Sequence, residues 1–413
     1  MNVTSVCRQA KLASRSLAAF SAAEKNAILS AMADALKAGQ DYILTENKVD
    51  LNNLSGKDKV FEDRLRLNES RIDQMIEGIR QIAALEDPVG EVTGESVRPN
   101  GLVLKKVRCP LGVVAIIYEA RPNVTADAAA LCIKSGNAVI LKGGSGAINS
   151  NRAIYKVLSD AVAEAGFQRE IITFIDDTER KATAELLKQD KYIDVIIPRG
   201  GEGLKNFILE NSTIPVIASA GGNCHVYVEK TADYDMAEKI LVNAKCQRPS
   251  VCNAAESLLI DADVADRYLP GLMKALIDNG VTIKGMPEEL AKYGLPFTPA
   301  TEEDYHTEYH DLIMDIKVVK DCGEAIDRIN RYGTCHSEAI ITSDAAAAEQ
   351  FAKKVDAAAV YVNASTRFTD GFEFGLGAEM GISTGKLHAR GPLGLKELTT
   401  EKYVITGNGQ VRK

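Results

Sequence analysis

Residues 111–142 read LGVVAIIYEARPNVTADAAALCIKSGNAVILK. Positions 111–118 form a nearly unbroken apolar run bounded by turn formers, as a strand buried on both faces requires. TADAAALCIKSG, 125–136, is a helix stopped at Gly136, and AVILK, 138–142, is a second buried strand. Working outward, the alternation continues: helix 149–166, strand 171–176, helix 178–189, strand 192–198, helix 201–211 and strand 213–218. Such alternation predicts a parallel sheet covered on both faces, with ligands at one edge of strand ends. A GxGxxG fingerprint is missing, so an ordinary dinucleotide fold does not follow.

From about Gly222 a second α/β unit begins, with strands at 225–230, 256–261, 315–319, 338–343 and 358–363 and a helix at 233–246. The fold class is therefore α/β with two open parallel sheets. Upstream, the chain is helical. Ser21 and Glu24 make a capping box, the helix behind them stops at Gly39, and a second run at 70–85 ends before Asp87-Pro88. Residues 93–110 alternate around Pro99-Asn100-Gly101 and read as a hairpin, either a subunit contact or an exposed flap. The β-rich end, 394–409, is expected to pair with another subunit.

Composition narrows the function. The 413 residues are 46% hydrophobic and 26% charged, which excludes bulk disorder. Lys plus Arg number 49 against 57 Asp plus Glu, a net charge of -8, which argues against a general nucleic-acid face. With no apolar stretch long enough to span a bilayer and no signal-peptide pattern, a cytoplasmic protein without membrane attachment is expected. Eight cysteines form no CxxC pair or zinc spacing, so free thiols are expected and no metal.

One cysteine stands out. In NAKCQRPSVCNAAES, 243–257, Cys252 follows a Pro-Ser-Val turn and enters a strand. Lys245 and Arg248 nearby are expected to hold it as a thiolate, the form that attacks a carbonyl. Cys246 is the rival and the more packed of the two; a small buried hydrophobe is the ordinary fate of either.

Longer motifs carry a resemblance. IKSGNAVILKGGS (133–145), IIPRGGEGL (196–204), SAGGNCHVYVE (219–229) and the Cys252 loop resemble the aldehyde dehydrogenase superfamily. YEARPNVTADAAALCIKSGNAVILKGG, CQRPSVCNAAE, YVNASTRFTDGFEFGLGAEMGIST and KLHARGPLGL are similar to its acyl-phosphate-reducing branch. That branch reduces L-glutamyl 5-phosphate with NADPH to L-glutamate 5-semialdehyde and phosphate, the second step of proline synthesis from glutamate. The resemblance implies a cofactor-binding domain at 1–222, a catalytic domain at 223–385 and an oligomerisation unit made of the 93–110 hairpin and the tail 386–413. It also implies a homo-oligomer and a glutamate 5-kinase as possible partner.

Roles follow from the same resemblance. Cys252 is the nucleophile that forms a thioester, and Asn123 with the Cys252 N–H forms an oxyanion hole. Lys142, Gly143 and Ser145 meet the adenosine ribose of NADPH/NADP. Arg199, Gly200 and Gly201 meet the pyrophosphate at a helix start. Glu308 holds the nicotinamide ribose. Hydrolytic relatives carry a glutamate just before the paired glycines; here Ala218-Ser219-Ala220-Gly221-Gly222 has none, so the thioester is expected to be spared from water.

For the substrate, Arg248 and Lys245 are the phosphate candidates, and Arg121 and Arg367 the carboxylate candidates. His225, His336 and His388 are read as structural hydrogen-bonders. Two other readings share these residues: a phosphate-dependent dehydrogenase of another small semialdehyde, and a non-catalytic scaffold of the same fold.

Overall fold

The structure, a computed structural model, describes residues 2–54, 59–119, 121–218 and 221–412. Five helices come first: α1 (Val3–Leu17), α2 (Ala22–Ala38), α3 (Gln40–Asn52), α4 (Lys59–Leu65) and α5 (Glu69–Ala84). The expected capping box is present at α2, where the Ser21 hydroxyl accepts from the Glu24 N–H and the Glu24 carboxylate accepts from the Ser21 N–H at 2.7 Å. β1 (Val92–Val97) and β2 (Val103–Pro110) form the hairpin, closed by Gly101 at φ 85°.

Four strands then form the first parallel sheet. They are β3 (Val113–Tyr118), β4 (Ala138–Gly143), β5 (Ile172–Phe174) and β6 (Val195–Arg199), in the order β5-β4-β3-β6. β3 and β4 are buried at every residue, which is why their sequence shows no alternation. Helices α6 (Asn123–Lys134) and α7 (Ile148–Glu164) join α2 and α5 on one face; α1, α8 (Arg180–Leu186) and α9 (Glu202–Asn211) cover the other. The strand expected at 213–218 reduces to a single bridge between Ile196 and Val216. Pro215 has no N–H to give a ladder, so the segment touches β6 and leaves it.

The second parallel sheet has seven strands: β7 (Cys224–Val228), β8 (Ala255–Asp261), β9 (Thr282–Gly285), β10 (Thr298–Pro299), β11 (Ile313–Val319), β12 (Ser337–Ile341) and β13 (Ala359–Val362). Their order is β10-β9-β11-β8-β7-β12-β13. Helix α10 (Tyr234–Cys246) links β7 to β8. After a short pair, β14 (Ile382–Ser383) and β15 (Gly391–Pro392), the chain ends in β16 (Thr399–Thr406).

The tail strand, expected to pair with another subunit, uses one edge within its own chain: β16 pairs with β2 over Thr399–Thr406, making a three-stranded sheet in the order β1-β2-β16. This arrangement leaves β16 one open edge, and Tyr403, Val404 and Ile405 are exposed. Among the described residues no helix is long and apolar enough to cross a membrane.

Candidate active site

The carboxyl ends of β3 and β6 face the amino ends of β7 and β8, and Cys252 sits between them. β6 ends in Arg199, β3 runs on to Arg121, and both guanidiniums act on the Cys252 thiol. Backbone contact fixes the height of the cysteine. A Cβ on Gly222 would lie 1.3 Å from the Cys252 carbonyl oxygen, so only glycine fits there. The same oxygen accepts from the Cys224 thiol at 3.2 Å. From the far side, Thr366 donates to the Asn253 carbonyl at 2.7 Å, and the Asn253 amide donates to the Thr369 carbonyl at 2.9 Å.

The thiol is not the preformed thiolate expected from its neighbours. Burial pushes it up to about 11, with Arg199 and Arg121 pulling down and Glu308 and Glu379 pushing up. Cys246 ends α10 half-buried against the core of the seven-stranded sheet. All eight cysteines are free, and three of them (Cys7, Cys132 and Cys224) are buried.

Glu308 lies against the paired glycines. Its carboxylate accepts from the Gly222 N–H at 2.7 Å and pairs with His310 at 3.2 Å. Burial opposes its charge, but these bonds outweigh it and hold the carboxyl below its usual range. Gly221 and Gly222 bring no acid. Ser219 and Ala220, which completed that expectation, lie outside the described residues. Two carboxylates from elsewhere nonetheless bear on the thiol by their charge, Glu308 and Glu379.

Lys245 does not fit the phosphate role expected of it. It is wholly buried on the inner face of α10, and its ammonium bonds Glu256 at 2.5 Å, the partner being equally buried. Asn123 keeps a donor for the role expected of it. It starts α6 in an exposed position, and its amide donates one of its two N–H bonds to Asp127 at 2.9 Å, leaving the other for the proposed oxyanion hole.

The arginines do converge. Arg121, Arg199, Arg248 and Arg64, the last not anticipated, form a group whose charges repel one another. Loss of water, then Arg199, Arg64 and Arg248, lower the Arg121 guanidinium to about 10. Arg64 stands on α4, whose Phe61 packs against Gly146. Among the described residues these four guanidiniums have no ion pair within 4 Å and no side-chain hydrogen bond, although they lie close enough to act on one another. Arg367 is nearer the loop than the opening: it donates to Gln247 at 2.9 Å and to Asn253.

At the expected cofactor edge, Lys142 is the penultimate residue of β4 and donates to the Asp177 carbonyl at 2.8 Å, leaving two ammonium protons. Ser145 is exposed and opens a short turn after Gly144. A Cβ on Gly143 would strike the Asn151 amide nitrogen, which is buried without a partner. Glycines, a lysine and an orphan donor at parallel strand ends fit a nucleotide. Carboxylates occupy both helix starts at this edge. Asp50 accepts from the Asn149 and Ser150 N–H groups at the start of α7. The Gly201 N–H, expected for pyrophosphate, donates to the Glu119 carboxylate at 2.9 Å. A Cβ on Gly200 would lie 2.6 Å from the same carboxylate.

The histidines are structural, as read. His225 pairs with buried Glu338 at 3.0 Å. Burial pushes His336 down to about 4, and it bonds Ser337 at 2.8 Å. His388 bonds the Glu397 carbonyl at 2.6 Å. Among the described residues no cluster of three or more His, Cys, Asp or Glu side chains could hold a metal.

A loop cysteine between two parallel sheets, beside strand ends whose glycines and lysine fit a nucleotide, is an arrangement that defines a class. The chain belongs to the aldehyde dehydrogenase family, whose pattern matches residues 1–284 and 303–404. Within it, the chain is similar over its length to gamma-glutamyl phosphate reductases. The one from Carboxydothermus hydrogenoformans is 56% identical over 412 residues, covering 99% of each chain. That from Heliobacterium modesticaldum is 53% identical, covering 98% of this chain and 97% of its own. A crystal structure of gamma-glutamyl phosphate reductase from Thermotoga maritima superposes with a TM-score of 0.98 at 43% identity, covering all of both chains.

Proposed function

We propose that this oxidoreductase reduces L-glutamyl 5-phosphate to L-glutamate 5-semialdehyde and phosphate, with NADPH and through a thioester on Cys252. The observation that carries the reading is the unpaired group Arg64, Arg121, Arg199 and Arg248 beside the thiol. Like charges held together without a direct ion pair to offset them cost energy, which an anionic ligand recovers. An acyl phosphate with an α-carboxylate brings two such anions to one carbonyl carbon. The names of the full-length relatives, and the family's use of nicotinamide cofactors, support the same choice.

In this reading Arg248, Arg121 and Arg199 bind and orient the phosphate and carboxylate. The Cys252 sulfur attacks the acyl carbon and phosphate leaves. A bound reduced nicotinamide supplies the hydride. Lys142 and Ser145 hold the adenosine end, and Glu308 the nicotinamide ribose. Cofactor binding is assigned to 1–222, catalysis to 223–385, and self-assembly to the hairpin with 386–413. The chain works in the cytoplasm as a homo-oligomer supplied by a glutamate 5-kinase.

The test is the reverse reaction, phosphate-dependent NADP reduction by glutamate 5-semialdehyde. Wild-type protein should catalyse it and Cys252→Ala should not, while NADPH binding stays nearly intact. Substantial turnover by the alanine variant would reject the nucleophile and move attention to Cys246.

A further inference from the structure

Burial holds the Cys252 thiol well above neutrality, so attack needs a group that takes its proton. Four charges bear most on it: Arg199, Glu308, Glu379 and Arg121. The arginines cannot accept a proton. Glu308 is committed, one oxygen to the Gly222 N–H and the other to His310.

Glu379 is not committed in this way. Its Oε2 is buried with no hydrogen-bond partner, while the Gly371 N–H faces the carboxyl. A buried oxygen left unpaired is costly unless it takes part in something else. Its position is set by Arg199. Two residues beyond Glu379, a Cβ on Gly381 (φ 130°) would lie 2.1 Å from the Arg199 guanidinium. Arg199 is thus laid on the turn that carries Glu379 and is also the strongest charge on Cys252.

We propose that Glu379 is the catalytic base and acid that serves Cys252. The Sγ proton passes to Oε2 through one intervening water as the S–C bond forms to the acyl carbon. The C–O bond to phosphate breaks with its electron pair on the departing oxygen. Glu379 returns the proton to that oxygen, so phosphate leaves as the dianion. After the cofactor's hydride has reduced the acyl carbon, the S–C bond breaks with its pair on sulfur, the aldehyde departs, and the thiolate regains a proton from water through Glu379. This assignment rests on Cys252 being the nucleophile.

The setting suits a group that both takes and gives a proton. Burial and Asp370 raise the Glu379 carboxyl to about 7, against the pull of Arg199. The charges facing the pair are Arg199 and Arg121 from the first α/β unit and Glu308, Arg367 and Asp370 from the second.

The experiment follows alkylation of Cys252 by iodoacetamide against pH, with the modified peptide identified by mass. In the wild type the rate should rise through neutral pH as Glu379 loses its proton, level off, and rise again as the thiol itself ionises. In Glu379→Gln the neutral step should vanish and only the alkaline rise remain. Turnover in the reverse assay should fall by about 10²- to 10⁴-fold, and Glu379→Asp should recover part of both signals. A Gln variant with full turnover overturns the proposal, and so does a wild-type profile without the neutral step. If the Gln variant fails to fold, the wild-type profile decides alone. A fully active Cys252→Ala would instead remove the nucleophile reading beneath it.

Discussion

Replacing Lys245 by methionine separates a structural role from a phosphate-binding one. Its ammonium and the Glu256 carboxylate are both wholly buried, 2.5 Å apart, and the other Glu256 oxygen already lacks a partner. Removing the lysine leaves a buried carboxylate with nothing to hold it. Breaking a buried pair from one side costs about 3–5 kcal/mol. At roughly 2–4 °C per kcal/mol for a unit of 150–250 residues, the unfolding midpoint should drop by about 6–20 °C near pH 8.

The pH dependence has a definite sign. Burial raises Glu256 to about 7 even with Lys245 opposing it. Without Lys245 it rises further, so the folded variant holds a proton that the unfolded chain releases. A raised carboxyl favours the fold at low pH, and that advantage is lost as pH rises from the unfolded carboxyl's range through the raised value. The deficit of Lys245→Met should therefore be smaller at pH 5 than at pH 8. The measurement is thermal unfolding by circular dichroism at both pH values, with the double variant Lys245→Met/Glu256→Leu recovering most of the loss. An unchanged midpoint together with a raised phosphate KM would refute the reasoning and return Lys245 to the phosphate.

Arg248→Ala should raise the phosphate requirement of the reverse reaction about 10- to 150-fold, a charge-assisted contact of about 1.5–3 kcal/mol, with little change toward the semialdehyde; an unchanged requirement places the phosphate elsewhere. The wild type should prefer NADP to NAD in kcat/KM, and Ser145→Glu should reverse or erase that preference, since a carboxylate there repels the 2′-phosphate; a glutamate variant that keeps the preference shows that another residue sets it. Truncation from Lys402 onward removes most of β16 and should give smaller assemblies in sedimentation, whereas an unchanged size would exclude the tail from assembly.

The βαβ stretch at 111–142 was legible because strands covered on both faces leave an unbroken apolar run. Lys245 was legible too, but from a different signal. Ala237, Ile240, Leu241 and Ala244 mark the buried stripe of α10, and helical periodicity places Lys245 on it, whereas closeness to Cys252 in sequence suggested a free cation. Glu379 left no local mark. A single acid among small residues in GLGAEMGIST says nothing until the fold brings Arg199 and Cys252 to it. Arg64 was hidden for the same reason, on a short helix far from the motifs. The Cys252 thiol was misjudged because adjacent cations are visible in a sequence and burial at a sheet junction is not.

With the cofactor placed as proposed, the Glu119 carboxylate at the start of α9 would turn its arrival into an exchange. Under the proposed placement, pyrophosphate meets an N–H that already has an anion, so the net gain is the difference between two anions rather than the whole of one contact. Departure is eased by the same amount, because Glu119 is on hand to reclaim the helix end as the nucleotide lets go. An enzyme that must discharge an oxidised nucleotide every cycle profits from a grip that is easily surrendered. Glu119→Gln should accordingly tighten cofactor binding and lengthen its residence, slowing turnover wherever release is the slow step.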